Sequence, residues 1–339
     1  MAADYRPLLN RFPQLRASLA PTPLCDLPTP VQHLSSLGGH AWVKRDDLTA
    51  SEYGGNKMRK LEFILADMDR HKAKHVVTLG ATGTNAGVAA ALACHNTGRS
   101  CDIFTFPQPD TDTVRKNRAL MDHYGARCLP RRNLLSAALG WYLHPGRLLP
   151  GWYFLYAGCS NPPATFAYIN AVLELAEQIE ERQCPPPSEI IVAAGSGATV
   201  AGLAIGCALA LPHCTVTAVQ VAPARLGPFA VCHPNVIEKM QDQAWKVLRE
   251  QDATLPDRPV QHWVWEDRYF GNGYGVTDAS TDTAISVGSA HGLALEATYS
   301  GKAFNCFLDT LDKRREPVLF WHTYSSAALP EGLQTTSGS

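Results

Sequence analysis

The stretch from Ile190 to Leu211 constrains the fold more than any other part of this chain, because its 22 residues carry no charge. A stretch of that length is long enough for a membrane-spanning helix. Gly195, Ser196 and Gly197 interrupt it, however, with a β-branched run before them and a run rich in Ala and Leu after them. Because β-branched residues favour strands while Ala and Leu favour helices, the segment predicts a buried strand, a glycine loop and a buried helix.

The same alternation continues along the rest of the chain. Strands are predicted at 74–79, 100–106, 127–129, 215–221 and 318–322, and helices at 86–96, 110–124, 166–181 and 236–250. Strands that alternate with helices form parallel sheets covered by helices. The sequence therefore predicts an α/β fold, and 339 residues are enough for one or two large cores.

The charge balance argues against a polyanionic partner. Thirty Lys and Arg face 31 Asp and Glu, which gives a net charge of −1. Nucleic acids and anionic membranes attract proteins through a basic field. We therefore expect neither a nucleic acid nor a membrane among the partners.

Ten cysteines are scattered from Cys25 to Cys306 without a Cys-x-x-Cys pair or zinc-like spacing. This pattern indicates free thiols and no metal site. The first 19 residues mix arginines with single apolar residues and lack the apolar region of a secretory signal. We expect a cytoplasmic protein.

The glycine loop is the first candidate binding site. Where a strand turns into a helix, small residues let main-chain amides converge on a phosphate, and the hydroxyls of Ser196 and Thr199 add donors. The loop matches neither the P-loop nor the Gly-x-Gly-x-x-Gly fingerprint. A plain tight turn between a strand and a helix would show the same glycines.

Lys57 is the second candidate, since Gly54 and Gly55 precede it and a helical stretch begins at it. The positive end of a helix disfavours an ammonium group, and an imine-forming amine needs a lowered pKa. The alternative is a solvated surface lysine.

Two further turns carry polar side chains. The turn at 80–87 contains Thr84 and Asn85, which can hold a carboxylate or simply cap the next helix. Tyr299 and Ser300 lie near a turn, with Tyr274 upstream between two glycines. Either tyrosine can instead be a core residue beside a turn.

Together these features resemble the pyridoxal-phosphate enzymes of the tryptophan synthase β-subunit fold type, most closely the 1-aminocyclopropane-1-carboxylate deaminase / D-cysteine desulfhydrase family. The resemblance covers roughly Leu24 to Thr323. The motifs that carry it are Val43-Lys44-Arg45-Asp46-Asp47-Leu48, Gly54-Gly55-Asn56-Lys57, Arg59-Lys60-Leu61-Glu62, Gly158-Cys159-Ser160-Asn161-Pro162, the 195–202 loop, Gly273-Tyr274-Gly275 and Tyr299-Ser300-Gly301-Lys302-Ala303.

This resemblance implies pyridoxal 5'-phosphate as cofactor, with Lys57 holding it as a Schiff base and moving the substrate α-proton. Asn85 matches an asparagine that hydrogen-bonds the phenolic oxygen of the cofactor, and Thr84 matches a serine that meets the substrate carboxylate. Tyr274 and Tyr299 would face the substrate. The implied phosphate site consists of the main-chain amides of Gly195, Ser196, Gly197, Ala198 and Thr199, while Ser300 would hydrogen-bond the pyridine nitrogen.

The family fold implies two open, twisted, mostly parallel sheets with helices on both faces, the fold type II architecture. The expected domains are a large cofactor-binding domain at 1–49 and 163–339 and a small domain at 50–162. A homodimer is the expected assembly.

Several positions depart from the family pattern. Members that open the cyclopropane ring carry a carboxylate where Ser300 stands, and a serine cannot protonate the pyridine nitrogen, which favours β-elimination over ring opening. The usual Gln-Ser-Asn-His-x-x-Arg is reduced around Asn85, without the Gln, His and Arg, and 82–87 also resembles the carboxylate loop of cysteine-synthase-type enzymes. Tyr324 stands where the family has a glycine, which predicts a narrower or reshaped pocket.

The predicted function is therefore that of a pyridoxal-phosphate-dependent lyase or deaminase acting on a small amino acid. It would release a keto acid and ammonia by α,β-elimination, as a D-cysteine desulfhydrase does, or by ring opening. One alternative is a β-replacement synthase of the cysteine synthase type. The other is a catalytically silent cofactor-binding protein.

Overall fold

The computed structural model describes residues 5–226, 229–259, 263–330 and 333. Its α-helices are α1 (Pro7–Arg11), α2 (Arg16–Leu19), α3 (Asn56–Arg70), α4 (Asn85–Asn96), α5 (Asp112–His123), α6 (Leu134–Tyr142), α7 (Pro163–Glu180), α8 (Ala198–Ala210), α9 (Pro234–Gln251), α10 (Ala279–Ala290) and α11 (Ser300–Leu311). Its strands are β1 (Val31–His33), β2 (Ala41–Lys44), β3 (His75–Ala81), β4 (Ser100–Phe106), β5 (Arg127–Pro130), β6 (Trp152–Phe154), β7 (Glu189–Ala194), β8 (Thr215–Gln220), β9 (Arg225–Leu226), β10 (Phe229–Ala230), β11 (Trp263–Glu266) and β12 (Val318–Trp321).

Ten of the strands form two sheets, and β9 pairs with β10. The larger sheet has the order β1-β2-β12-β7-β8-β11, and its pairings are parallel except the edge pair β1 and β2. The smaller sheet has the order β5-β4-β3-β6 and is parallel throughout. This is the predicted fold class of two mostly parallel sheets.

Strand β7 shows why helices cover both faces of the larger sheet. Ile190 and Val192 point into a core that contains α7 and α8, whereas Ile191 and Ala193 point into a second core with α10 and α11. Successive side chains of a strand face opposite sides, so an unbroken apolar run must be buried on both.

The charge-free stretch forms β7 and α8, as the sequence predicts. No helix in the described ranges is long and apolar enough to cross a membrane. Gly202 and Gly206 bring α8 close to α7, since a Cβ at these positions would lie 2.4 Å from the Thr165 carbonyl oxygen and 2.5 Å from Val172 Cβ. Glycine at these two positions of α8 is therefore required for the close packing of the two helices.

The chain connections place several loops on one side of the molecule. The loops after β3, β7 and β12 all follow the carboxyl ends of parallel strands, where open α/β sheets bind ligands. We propose the predicted domain limits, because strands 75–154 build only the smaller sheet and the remaining strands of the two sheets build the larger one.

Candidate active site

A cavity of about 300 Å³ lies where the loops of the two sheets meet. Predicted site residues from five segments line it, which brings positions as distant as Lys57 and Tyr299 together. The lining residues used below are Asn56, Lys57, Lys60, Thr84, Asn85, Gly195, Ser196, Gly197, Thr199, Tyr274, Glu296, Tyr299 and Tyr324.

Lys57 lies in the first turn of α3, and its Nζ donates a hydrogen bond to Asn56 Oδ1 at 2.7 Å. Its pKa is lowered, as the sequence predicts, but the main cause is burial of the ammonium group. Nearby Cys159 and Glu296 oppose the shift. A lowered pKa increases the fraction of Lys57 in the neutral form, which is the form that can attack an aldehyde or accept a proton.

A buried ion cluster fixes the start of α3. Arg59 donates to Glu174 at 2.9 Å and to Asp46 at 2.8 Å, and Lys44 donates to Glu174 at 2.6 Å. Tyr168 also donates to Asp46, at 2.8 Å. Because Arg59 is two residues from Lys57, this cluster fixes the part of α3 that carries Lys57.

The 195–199 loop leads into α8, and no side chain caps the N-terminus of that helix. The amides at this end therefore remain as donors beside the cavity. Asn56 Nδ2 donates to Thr199 Oγ1 at 3.1 Å, which ties the residue before Lys57 to the loop. Ser196 is hydrogen-bonded to Ser160 of the Gly158–Pro162 motif.

Lys60 is a cavity residue whose role the sequence does not reveal. It is buried, and burial together with nearby Lys57 lowers its pKa well below the usual value. Its Nζ contacts only the Gly158 carbonyl oxygen, at 3.4 Å, among the described hydrogen bonds. The sequence signal for Lys60 is its position three residues after Lys57, about one turn further along the same helix, which places both side chains on one face.

Thr84 and Asn85 begin α4 at the cavity wall. Thr84 caps the helix, since its hydroxyl oxygen accepts from the Gly87 amide at 3.3 Å. The hydroxyl hydrogen remains available to a ligand. The carboxamide of Asn85 also faces the cavity.

Tyr274 and Tyr299 meet at their hydroxyl groups, which are hydrogen-bonded to each other. Burial raises the pKa of both phenols, to about 12 for Tyr274. Lys302 holds the loop of Tyr274 by donating to the carbonyl oxygens of Phe270 at 2.6 Å and Gly273 at 2.8 Å. Both phenols are therefore neutral hydrogen-bonding groups near neutral pH.

Ser300 and Ala198 do not line the cavity. The Ser300 hydroxyl accepts from the Glu296 amide at 2.8 Å and lies 3.3 Å from the Glu296 carboxylate. This arrangement does not support the expected contact of Ser300 with the cofactor. Ala198 packs in the core beneath the loop, so only its main chain can serve a ligand.

Glu296 is a second residue whose place the sequence did not reveal. Its carboxylate accepts from the amides of Thr298, Tyr299 and Ser300 at 2.7–2.8 Å and so caps α11. Burial nevertheless raises its pKa. It is the carboxylate that borders the cavity among the described residues.

The Tyr324 ring borders the cavity, in line with the expected narrowing. Its segment is anchored to the loop before Lys57, because the Asn56 amide donates to the Thr323 carbonyl oxygen at 3.1 Å and the Gly54 amide to Ser325 Oγ at 2.9 Å. Burial raises the pKa of Tyr324 to about 12.

Comparison with known proteins assigns this arrangement to a family. The model of the pyridoxal-phosphate dependent enzymes matches residues 16–323. The chain belongs to the pyridoxal-phosphate dependent enzyme family. Its fold and its cofactor are those that the sequence predicts.

Individual relatives place the chain more closely within the family. It is 32% identical to a D-cysteine desulfhydrase of Salmonella schwarzengrund, over 95% of this chain and 96% of the relative. The solved structure of an ACC deaminase homologue is similar at a TM-score of 0.77 and 27% identity, covering 93% of this chain and 95% of the other. O-ureido-L-serine synthase shares the fold at a TM-score of 0.61 and 16% identity, covering 88% and 87%.

The cavity fits pyridoxal phosphate on its own chemistry. Two lysines, Lys57 and Lys60, border it without a carboxylate within ion-pair distance in the described residues. The uncapped end of α8 offers amide donors to a phosphate, and a phosphate anion there would counter the lowered pKa of Lys60, so that its amine takes up a proton and pairs with the phosphate. Pyridoxal phosphate fits these features, since its aldehyde can react with one amine and its phosphate group can pair with the other.

Proposed function

We propose that this protein is a lyase that eliminates a β-substituent from a small amino acid and releases a keto acid and ammonia, with D-cysteine as the first substrate to test. The observation that carries the proposal is that the amine of Lys57, with its lowered pKa, shares one cavity with the amide-rich end of α8. The resemblance of the whole chain to D-cysteine desulfhydrases supports the reaction class.

Each polar side chain then has a task. Bound pyridoxal phosphate withdraws electrons from the substrate α-carbon, which permits loss of the α-proton and of a β-substituent. Lys57 holds the cofactor and accepts the α-proton at Nζ. The amides of 195–199 and the ammonium group of Lys60 hold the phosphate, and the Thr84 hydroxyl donates to the substrate carboxylate.

The tyrosine pair faces the remaining side of the substrate. Tyr299 and Tyr274 share one hydrogen bond and have raised pKa values, so together they can donate a proton to a departing β-substituent. No carboxylate follows Tyr299, and the Ser300 hydroxyl is engaged by Glu296. These two features favour elimination over opening of a cyclopropane ring.

Two measurements test the function. Purified protein with added cofactor should absorb visible light, and Lys57→Ala should abolish that band while Lys74→Ala, a change at an exposed lysine, leaves it intact. A panel of D- and L-amino acids with β-leaving groups, plus the cyclopropane amino acid, is then scored for keto acid and ammonia. A wild type without a visible band contradicts the proposal, and product only in the presence of an added thiol points to a β-replacement synthase.

We further propose a cytoplasmic homodimer. Ten free thiols suit a reducing compartment. Of the ten exposed large apolar side chains in the described part of the chain, seven lie between Leu135 and Tyr156, and Leu148 is 90% exposed. Such a surface can supply much of the roughly 800 Å² per partner that a stable interface buries. Light scattering should report a dimer that Leu139→Lys with Leu148→Asp converts to a monomer; a monomeric wild type refutes this.

A further inference from the structure

The carboxamide of Asn85 has its oxygen engaged by two donors from outside the cavity. Asn117 Nδ2 donates to Asn85 Oδ1 at 2.6 Å, and the Tyr53 hydroxyl donates to the same oxygen at 3.2 Å. Asn117 and Tyr53 are buried, while Asn85 is half-buried and lines the cavity. The amino group of Asn85 is therefore the part left to serve a ligand.

The orientation of Asn117 is itself fixed by the main chain. Its Nδ2 also donates to the Gly83 carbonyl oxygen at 2.8 Å, and a carbonyl oxygen can only accept. Rotating the Asn117 amide by half a turn would place its oxygen against two acceptors, Gly83 O and Asn85 Oδ1. The observed orientation is kept although Asn117 Oδ1 is buried without a partner among the described residues.

Tyr53 cannot fix the orientation of the Asn85 amide in the way that Asn117 does. A hydroxyl group rotates and can either donate to an amide oxygen or accept from an amide nitrogen, so Tyr53 is compatible with both orientations of Asn85. Asn117 is compatible only with the orientation in which the oxygen of Asn85 faces it. The choice between oxygen and nitrogen at the cavity wall therefore depends on Asn117, which lies on α5, 32 residues further along the chain.

We propose that Asn117 is a positioning residue that holds the Asn85 amide with its N–H groups toward the bound cofactor, so that Asn85 donates to the phenolic oxygen and stabilises its negative charge. The inference rests on the proposed cofactor site and on no particular substrate. It assigns a role to a residue that touches neither cofactor nor substrate.

The test measures the absorption spectrum of the lysine-bound cofactor against pH, without substrate. Asn117→Asp presents only acceptors to Asn85, so the amide should turn and set its oxygen against the phenolic oxygen. A hydrogen bond to a charged group is then lost, and the population of the visible-absorbing, phenolate form relative to its tautomer should fall about tenfold or more. Asn117→Leu, which is similar in shape, should give a smaller loss because the amide becomes free to rotate. Tyr53→Phe should change the ratio least.

A double-mutant cycle separates positioning from general damage. In an Asn85→Ala background, Asn117→Asp should have no further effect on the spectrum, because its action passes through Asn85. If Asn117→Asp does not fold, as judged by circular dichroism, Asn117→Leu is measured in the same cycle. An unchanged ratio in the Asn117 variants, or an effect that persists in the Asn85→Ala background, overturns the inference. A normal wild-type spectrum in that case leaves the proposed function intact.

Discussion

Glu174→Gln tests how far the buried ion cluster beneath the cavity stabilises the fold. Both side chains of the Lys44–Glu174 pair are fully buried, and Arg59 donates to both oxygens of Glu174 at 2.9 Å. Glutamine keeps the size and one acceptor of glutamate but removes its charge. Asp46 would then be the remaining carboxylate in contact with Arg59.

The loss of folding free energy expected for Glu174→Gln can be calculated in two ways. Removing one partner of a buried ion pair costs about 3–5 kcal/mol. Independently, the Arg59 and Lys44 cations outweigh burial and lower the pKa of Glu174 from 4.5 to about 2. That difference corresponds to about 3 kcal/mol of folding free energy, since one pKa unit is worth about 1.4 kcal/mol.

The difference in unfolding free energy between the wild type and Glu174→Gln should depend on pH. A carboxyl group with a lowered pKa in the folded state stabilises the protein above its unfolded pKa and loses that contribution as the pH falls from 4.5 toward 2. The wild type should therefore exceed Glu174→Gln by about 3 kcal/mol at pH 7 and by about 1 kcal/mol at pH 3. Urea unfolding followed by circular dichroism measures both values.

Glu180→Gln is the matched control, because Glu180 lies exposed on the same helix. It should change the free energy of unfolding by less than about 0.5 kcal/mol. A loss below about 1 kcal/mol for Glu174→Gln at pH 7, or a loss that does not shrink in acid, would refute the reasoning.

Two further changes probe the cavity itself. Gly197 has a φ of 91° at the start of α8, so Gly197→Ala should cost about 1 kcal/mol or more in urea unfolding and weaken cofactor binding in a fluorescence titration; equal affinity would argue against the loop as the phosphate site. Tyr324→Gly should raise kcat/KM for substrates with bulkier β-substituents relative to D-cysteine by about tenfold, measured by keto acid release; an unchanged ratio would show that Tyr324 does not limit the pocket.

Much of the secondary structure can be predicted from the sequence because it depends on the residue types within each segment. The strand at 100–106 was predicted with the limits that the structure shows, and β7 and α8 lie where the charge-free stretch predicts them. A β-branched run, a glycine loop and an apolar helix each follow from the residues in that segment. Lys57, Thr84, Asn85 and Tyr299 were recognisable as candidates for the same reason, since each stands in a short motif.

The tertiary structure alone decided how these side chains are oriented and charged. Ser300 follows Tyr299 in sequence, yet its hydroxyl is hydrogen-bonded to the Glu296 amide and carboxylate and does not line the cavity. Lys57 owes its lowered pKa chiefly to burial, which depends on the distant segments that line the same cavity.

The sequence also does not reveal the buried contacts that hold the site residues in place. Glu174 meets Lys44 across 130 residues, and Asn117 meets Asn85 across 32. Local sequence fixes which backbone conformation a segment prefers and which functional groups it carries. The direction of a hydrogen bond and the pKa of a buried group depend on partners that only the folded chain brings into contact.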